Sequence, residues 1–300
     1  MINRVASSAG TRMMQTNLQI SARNLLAAQE QMTTGKRINR VSDNPADAVS
    51  SLGQRASLRR VEQFSRNAVQ AQSWLDAGDT ALASVNERLS SARSLVVQAN
   101  SGASDSQSRA AIANEITAMR DSIIQSANTS RDGRQIFAGT SGASVAYDAN
   151  GLYQGDTGTV SIPITPGVSL QVNRTGPDVF GTHNAGDPNN GDVFQLLEQA
   201  ANAIRSGDTT AMGAMLSRID VATARVSTAQ IEIGGRALQL EDLTASLESS
   251  KLSLSKGISS AENADFAESI ISLKTQEAAY QAALAATARV IQPTLLDFLR

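Results

Sequence analysis

The sequence predicts a mainly α fold: an elongated antiparallel helical bundle or coiled coil built from both chain ends, with a small β-rich domain inserted between them. Three observations predict it. Ile219, Val226, Ile233, Leu240, Leu247 and Leu254 recur every seven residues toward the C-terminus. On the N-terminal side two interleaved rows run Val61, Ala68, Leu75, Leu82, Leu89, Val96 and Phe64, Ala71, Gly78, Val85, Ala92. Heptad rows of this length are the mark of helices packed along their lengths. From Gly139 to Asp192 the period vanishes, and Gly133 to Gly191 holds 11 of the 21 glycines and four of the six prolines.

The first helix spans Asn3 to Thr34, with Met14, Leu18, Leu25 and Met32 at heptad spacing and Ser21 and Ala28 on the other row. Gly35 can adopt the left-handed conformation that stops it. After a polar stretch, Asn44 caps a new helix, Pro45 takes its first position and Asp47 complements its dipole. The long helix, Ser57 to Ala99, is roughly 65 Å at the standard rise. Asn100, Ser101 and Gly102 break it. Ser104 and Gln107 form a capping box for a helix whose core face is Ile112, Ile116, Met119 and Ile123 and which ends near Asp132 and Gly133.

In the middle, Asn150-Gly151 between Val145–Tyr147 and Leu152-Tyr153 is a hairpin signal. Thr159 to Ile164 and Val168 to Val172 read as strands around Thr165-Pro166-Gly167. Asp192 caps a helix from Val193, which Ser206-Gly207-Asp208 ends before the long helix Thr209 to Gly257. The seam runs in phase through Gly234-Gly235, which marks either the close approach of a neighbouring helix or a mild kink. The last helix, Asp265 to Leu299, carries Ile270, Leu284, Ile291 and Phe298 on one row and Phe266, Leu273 and Tyr280 on the other.

Rod-core positions are therefore Leu75, Leu82, Leu89, Ile219, Val226, Ile233, Leu240 and Leu247, with Trp74 flanking. The terminal rows are poorer: Glu277, Thr287 and Thr294 interrupt them. Glu277 is either a loosely packed outer position or an inter-subunit polar contact. Such seams are marginal alone and need neighbours. The expected partner-binding positions are Leu18, Leu25, Met32, Phe266, Ile270, Leu273, Tyr280, Leu284, Ile291 and Phe298. Residues 1–44 and 258–300 form the expected terminal coiled-coil helices, 45–138 and 192–257 the rod, and 139–191 the β-rich outer domain.

Composition argues for assembly over catalysis. Aromatics are 3%, which suits thin seams better than a thick core. A net charge of −2 gives no electrostatic reason to expect nucleic acid or membrane as partner. Arginine outnumbers lysine 22 to 4 without local clusters, as expected of solvated helix faces. With no cysteine and one histidine, His183, no thiol chemistry, zinc site or His-centred triad can be assembled. His183 reads as a surface loop residue. Asp187 to Asp192 lacks EF-hand spacing and reads as a turn with a helix cap. No catalytic, cofactor or metal residue is expected. The first ten residues lack the apolar core of a signal peptide, and no run of 18 apolar residues exists, so export would use a route that reads no such signal.

Two motifs carry a resemblance. The run Gln29-Glu-Gln-Met-Thr-Thr-Gly-Lys-Arg-Ile-Asn-Arg-Val-Ser-Asp-Asn-Pro-Ala-Asp-Ala48 resembles the head signature of the bacterial flagellin superfamily. The segments Ala264–Ala267 and Leu295–Leu299 resemble its tail. Asp132–Gly139, Tyr153–Asp156 and Gly176–Phe180 are similar to the hook-associated branch rather than to filament flagellin. The resemblance implies a structural subunit joining hook to filament, secreted through the flagellar type III apparatus and held beforehand by a cytoplasmic export chaperone. It implies a homo-oligomeric ring between hook-associated protein 1 and flagellin, with the terminal helices in an inner wall and the β-domain outward. Filament flagellin itself, or a secreted coiled-coil component of a related type III system, is the alternative.

Overall fold

The computed structural model describes residues 2–101, 105–184 and 191–291. Among them are seven helices and four short strands: α1 Ile2–Thr34, α2 Pro45–Asn100, α3 Ser106–Ala127, β1 Ser130–Arg131, β2 Arg134–Gln135, β3 Ser161–Thr165, β4 Val168–Gln171, α4 Gly176–Phe180, α5 Val193–Ser206, α6 Thr209–Glu262 and α7 Phe266–Ile291. Two compact units result, one of residues 1–61 with 249–300 and one of residues 62–248.

In the middle unit α2 and α6 run antiparallel. Arg93 Nε reaches Asp220 Oδ1 at 2.7 Å, and Asn86 Nδ2 donates to Gln230 Oε1 at 2.9 Å. Gln230 in turn donates to Asp79 at 3.0 Å. Pairing numbers thus rise on one helix as they fall on the other. Between these flanking polar pairs the heptad residues Leu75, Leu82, Leu89, Ile219, Val226, Ile233, Leu240 and Leu247 are buried, and Trp74 with them. Gly78 is the place of close approach: a Cβ there would stand 3.2 Å from Ile233 Cδ1. Gly234 and Gly235 are not, since a Cβ on either would meet nothing within 4 Å. Among the described residues no neighbouring helix approaches that pair, and α6 continues through it as helix.

α3 and α5 pack on each other and close this core with Ile112, Ile116 and Ile123 against Leu196, Leu197 and Ile204. The expected start and stop signals hold for α5: Asp192 accepts the Gln195 N–H at 2.7 Å, and Gly207 takes the left-handed conformation at φ 73°. Gly35 (φ 67°) likewise closes α1, and Asn44 Oδ1 accepts from Asp47 N at 3.2 Å to open α2.

Other boundaries differ from expectation. α2 is one helix from Pro45, because nothing in residues 45–57 interrupts the helical backbone. The cap of α3 is Asp105, accepting from Ser108 N at 2.7 Å; Ser104 lies outside the described residues. α3 stops at Ala127, short of Asp132-Gly133, because the side chain of Asn128 turns into the middle segment. Asp132-Gly133 instead forms the β1–β2 turn, with φ values of 51° and 77°. The expected β3–β4 hairpin is present, antiparallel, with Gly167 in the turn. The Asn150-Gly151 hairpin shrinks to one bridge, Tyr147 to Tyr153, because the Asp148 carboxylate accepts both the Asn150 and Leu152 N–H groups and shapes a wider turn.

Truncating Leu82 to Ala opens a cavity in the α2–α6 seam and should cost about 2–5 kcal/mol. A thermal melt followed by helical circular dichroism should fall by several degrees, whereas Val168→Ala, at the exposed start of β4, should leave it unchanged.

Candidate assembly surface

The head and tail motifs meet at one place in the terminal unit. The 35–44 loop leaves α1 and lies against the α6–α7 joint. Gly35 N donates to Gln31 O, and Ala264 N donates to Gly35 O at 3.0 Å. Lys36 bridges Asn263, and Arg37 N donates to Glu262 O at 2.6 Å. The Arg37 guanidinium binds both Asp47 Oδ2 (2.8 Å) and Ala261 O (3.0 Å). Asp43 Oδ2 accepts the N–H groups of Asn39 and Arg40, which folds the loop on itself. Asp265 then opens α7 by accepting from Ala267 N at 2.8 Å. The motif residues are thus the backbone clasp that joins α1 to α2 and α6 to α7.

Glu262 anchors the clasp. It is 6% exposed and accepts two hydrogen bonds from Arg55, one through Nε at 2.6 Å and one through a terminal nitrogen. Lys36 Nζ stands 3.5 Å from its Oε2. The Arg55 hydrogen bonds, with smaller help from Ser51 and the two cations, pull the Glu262 carboxyl from 4.5 down to about 2 against the opposing effect of burial. Sequence reasoning missed this pair. Its one visible signal is an acid placed where the apolar seam of α6 ends.

From the clasp α1 and α7 run antiparallel and pack on each other. Leu18, Leu25, Met32, Ile270, Leu273 and Tyr280 are half-buried, and Glu277 is too. The chain therefore supplies one partner for its terminal stripes by pairing its own ends. Few side chains here are fully buried; Ala28, Ala48, Ser51, Glu262 and Ser269 are. Much apolar surface stays outside. Phe266 is 64% exposed, Ile271 67%, Met13 70%, and Leu284 and Leu26 are also exposed. Phe266 and Leu284 are among the expected partner-binding positions, whereas Met13, Leu26 and Ile271 are exposed off the rows that define those positions. Ile291 is the last residue of α7, and Phe298 lies outside the described residues. A face of this kind can bind another helix. Among the described residues no cluster of three or more His, Cys, Asp or Glu could hold a metal, and no helix is long and apolar enough to cross a membrane.

The motifs of the middle segment also converge. Phe137, Tyr147, Tyr153, Phe180 and Phe194 form one aromatic cluster with ring centroids 4.8–5.7 Å apart. Tyr153 Oη donates toward Phe137 O and Asp156 O, and Asp156 accepts from Thr140 N, Thr140 Oγ1 and Gly158 N. A Cβ on Gly139 would clash with the Asp156 backbone, and one on Gly176 with the Tyr147 ring. Burial pushes the Tyr147 hydroxyl up, so it stays neutral. His183 is exposed, as expected of a surface loop, with Nδ1 3.2 Å from the buried Asp192 carboxylate. Most of the Asp187 to Asp192 turn lies outside the described residues.

Residues 5–142 match the family model of the bacterial flagellin N-terminal helical region. Flagellar hook-associated protein 3 of Escherichia coli K12 is 25% identical over 272 residues, which cover 84% of this chain and 86% of that protein. A flagellin of Bacillus subtilis strain 168 is 27% identical over 276 residues, 88% of each chain. A solved structure from Vibrio parahaemolyticus, assigned as a flagellar hook-associated protein, matches at 25% identity with a TM-score of 0.65, covering 74% of this chain and all of its own. The resemblance to hook-associated protein 3 seen in the motifs thus extends over most of the chain.

Replacing Glu262 with Gln should expose the pH dependence of the clasp. The carboxyl pKa is lowered by folding, so its stabilisation is complete above about 4.5 and lost as pH falls toward about 2. The variant should be less stable by about 2 kcal/mol at neutral pH. The gap between the two proteins in denaturant melts should close as pH falls through that window.

Proposed function

We propose that this protein is a structural subunit of the bacterial flagellum at the junction between hook and filament. The observation that carries this reading is in the middle segment. Asp132–Gly139, Tyr153–Asp156 and Gly176–Phe180, the three stretches similar to the hook-associated branch, contribute Phe137, Tyr153 and Phe180 to one aromatic cluster. They are a packed unit, and a packed unit is harder to match by chance than three separate strings. The match to the E. coli hook-associated protein over 84% of the chain supports the same reading.

On this reading the exposed face of α1 and α7 is the surface through which copies join into a ring. The ring sits between hook-associated protein 1 and flagellin. Before assembly the same apolar face is the handle for a cytoplasmic export chaperone, since an exposed amphipathic helix is a ready groove ligand. The segment 139–191 is the outer domain of this arrangement, 45–138 with 192–257 the rod, and 1–44 with 258–300 the inner assembly region. No step of this role requires an active site. The function is geometric, and the filament subunit itself is the alternative, favoured by the flagellin of B. subtilis matched over 88% of the chain.

Deleting the gene in its own bacterium should leave hooks without filaments and release flagellin into the medium; loss of flagellin from the medium would identify the filament subunit instead. Complementing that strain with Phe266→Ser combined with Ile271→Ser should restore a folded protein, with the melt of the α2–α6 core unchanged, but no swimming. Normal swimming by this variant would show that the α7 face is not the assembly surface.

A further inference from the structure

The near-neutral charge of the chain conceals a division. The terminal unit (residues 1–61 and 249–300) carries 14 Lys and Arg against 8 Asp and Glu, a net of +6. The middle unit (residues 62–248) carries 12 against 20, a net of −8, which together give the chain its −2. All four lysines, Lys36, Lys251, Lys256 and Lys274, fall in the terminal unit. A molecule with opposite fields on two parts attracts its own copies in one orientation and repels them in others.

Two surfaces give that attraction a place. In the middle unit α2 and α6 leave an open groove of about 750 Å³ whose walls include Ala68, Val69, Gly234 and Leu238. Val69 and Leu238 are each 66% exposed, and the missing side chain at Gly234 leaves the wall low. The rim is acidic. Glu241 lines the groove and is exposed, and Asp76 accepts a hydrogen bond from the lining Gln72 at 2.7 Å. In the terminal unit, the outer face of α2 has the reverse character. Val49 and Leu52 are exposed, and Arg59 shares their face at i, i+3 and i+10, with Arg60 exposed beside it.

We propose that the groove of one copy receives the Val49–Leu52–Arg59 ridge of a second copy. The apolar side chains enter the groove, while Arg59 and Arg60 face Glu241 and Asp76 at its rim. Because the two surfaces are different, the contact is heterologous and propagates from copy to copy, as a ring or helical array requires. Apolar burial supplies affinity, and the rim charges select the register and reject a groove-to-groove pairing of two acidic surfaces. The inference needs self-association but not the flagellar reading, so the two can fail separately.

The absence of cysteine makes the test direct. Full-length Val69→Cys and Leu52→Cys chains, mixed at low ionic strength and oxidised, should form a mixed disulfide dimer in preference to either self-pair, and added salt should reduce its yield. Adding Arg59→Glu and Arg60→Glu to the Leu52→Cys chain should cut the yield about tenfold by setting like charges at the rim. Adding Glu241→Arg to the Val69→Cys chain should then restore it. All five positions are exposed or half-exposed on helices, and circular dichroism of each variant checks that the fold is kept. Absence of the mixed dimer, both from purified chains and from isolated flagella, would overturn the proposal. So would equal self-pairing of Val69→Cys chains, indifference to the charge reversals, or cross-linking of Val69→Cys to a different protein alone.

Discussion

The packing of α2 on α6 is the interaction on which the rest of the middle unit depends. A two-helix seam must be apolar on one face of each helix, and it must keep its register over many turns. Leucine, isoleucine and valine at heptad spacing meet the first demand. The second is met by groups that fit only in one alignment: Gly78 opposite Ile233, Asn86 with Gln230, and Arg93 with Asp220. Shifting one helix by a turn would leave Ile233 against a side chain instead of a glycine and strand the amide pair. α3 and α5 add volume to this seam, but their apolar faces have no other surface to cover.

The middle segment solves a different problem. It has few hydrogen bonds of regular structure, and backbone groups buried without partners are expensive. Three side chains take over that task. Asn128 accepts from Ala146 N and Tyr147 N and donates to Tyr147 O. Asn173 accepts from Val160 N and donates to Gly158 O. The Asp156 carboxylate accepts from Thr140 N and Gly158 N. Around these staples five of the ten aromatic residues form a single cluster. The low aromatic content of the protein is therefore a matter of distribution: the helical seams use aliphatic side chains, and the insertion uses rings.

The terminal unit is held in a third way. Its fully buried side chains are small or polar, and the Glu262–Arg55 pair with the backbone clasp of the 35–44 loop ties it together. Ion pairs and clasps fix geometry more than they add stability. Large apolar side chains remain on the outside of α1 and α7, where burial at roughly 25 cal/mol per Å² awaits a neighbour. A unit built like this suits the proposed role, in which other subunits cover that face.

The heptad rows determined by themselves that two long helices pair, and the Asp192, Asn44, Gly35 and Gly207 signals fixed where helices begin and end. Both are local or strictly periodic, so they can be read one residue at a time. The head and tail motifs were legible as strings, yet their physical sense was not: Gly35 and Ala264 are bonded across more than two hundred residues. The same holds for Glu262 with Arg55, for Asn128 with Tyr147, and for the aromatic cluster. Gly78 and Gly234 look alike in the sequence, but one meets Ile233 and the other open space. The division of charge between units was hidden for a related reason, since each unit is assembled from distant stretches of chain. Spacing along a helix determines which side chains share a face, and only the fold decides what that face meets, because the partner arrives from a part of the chain that no local pattern names.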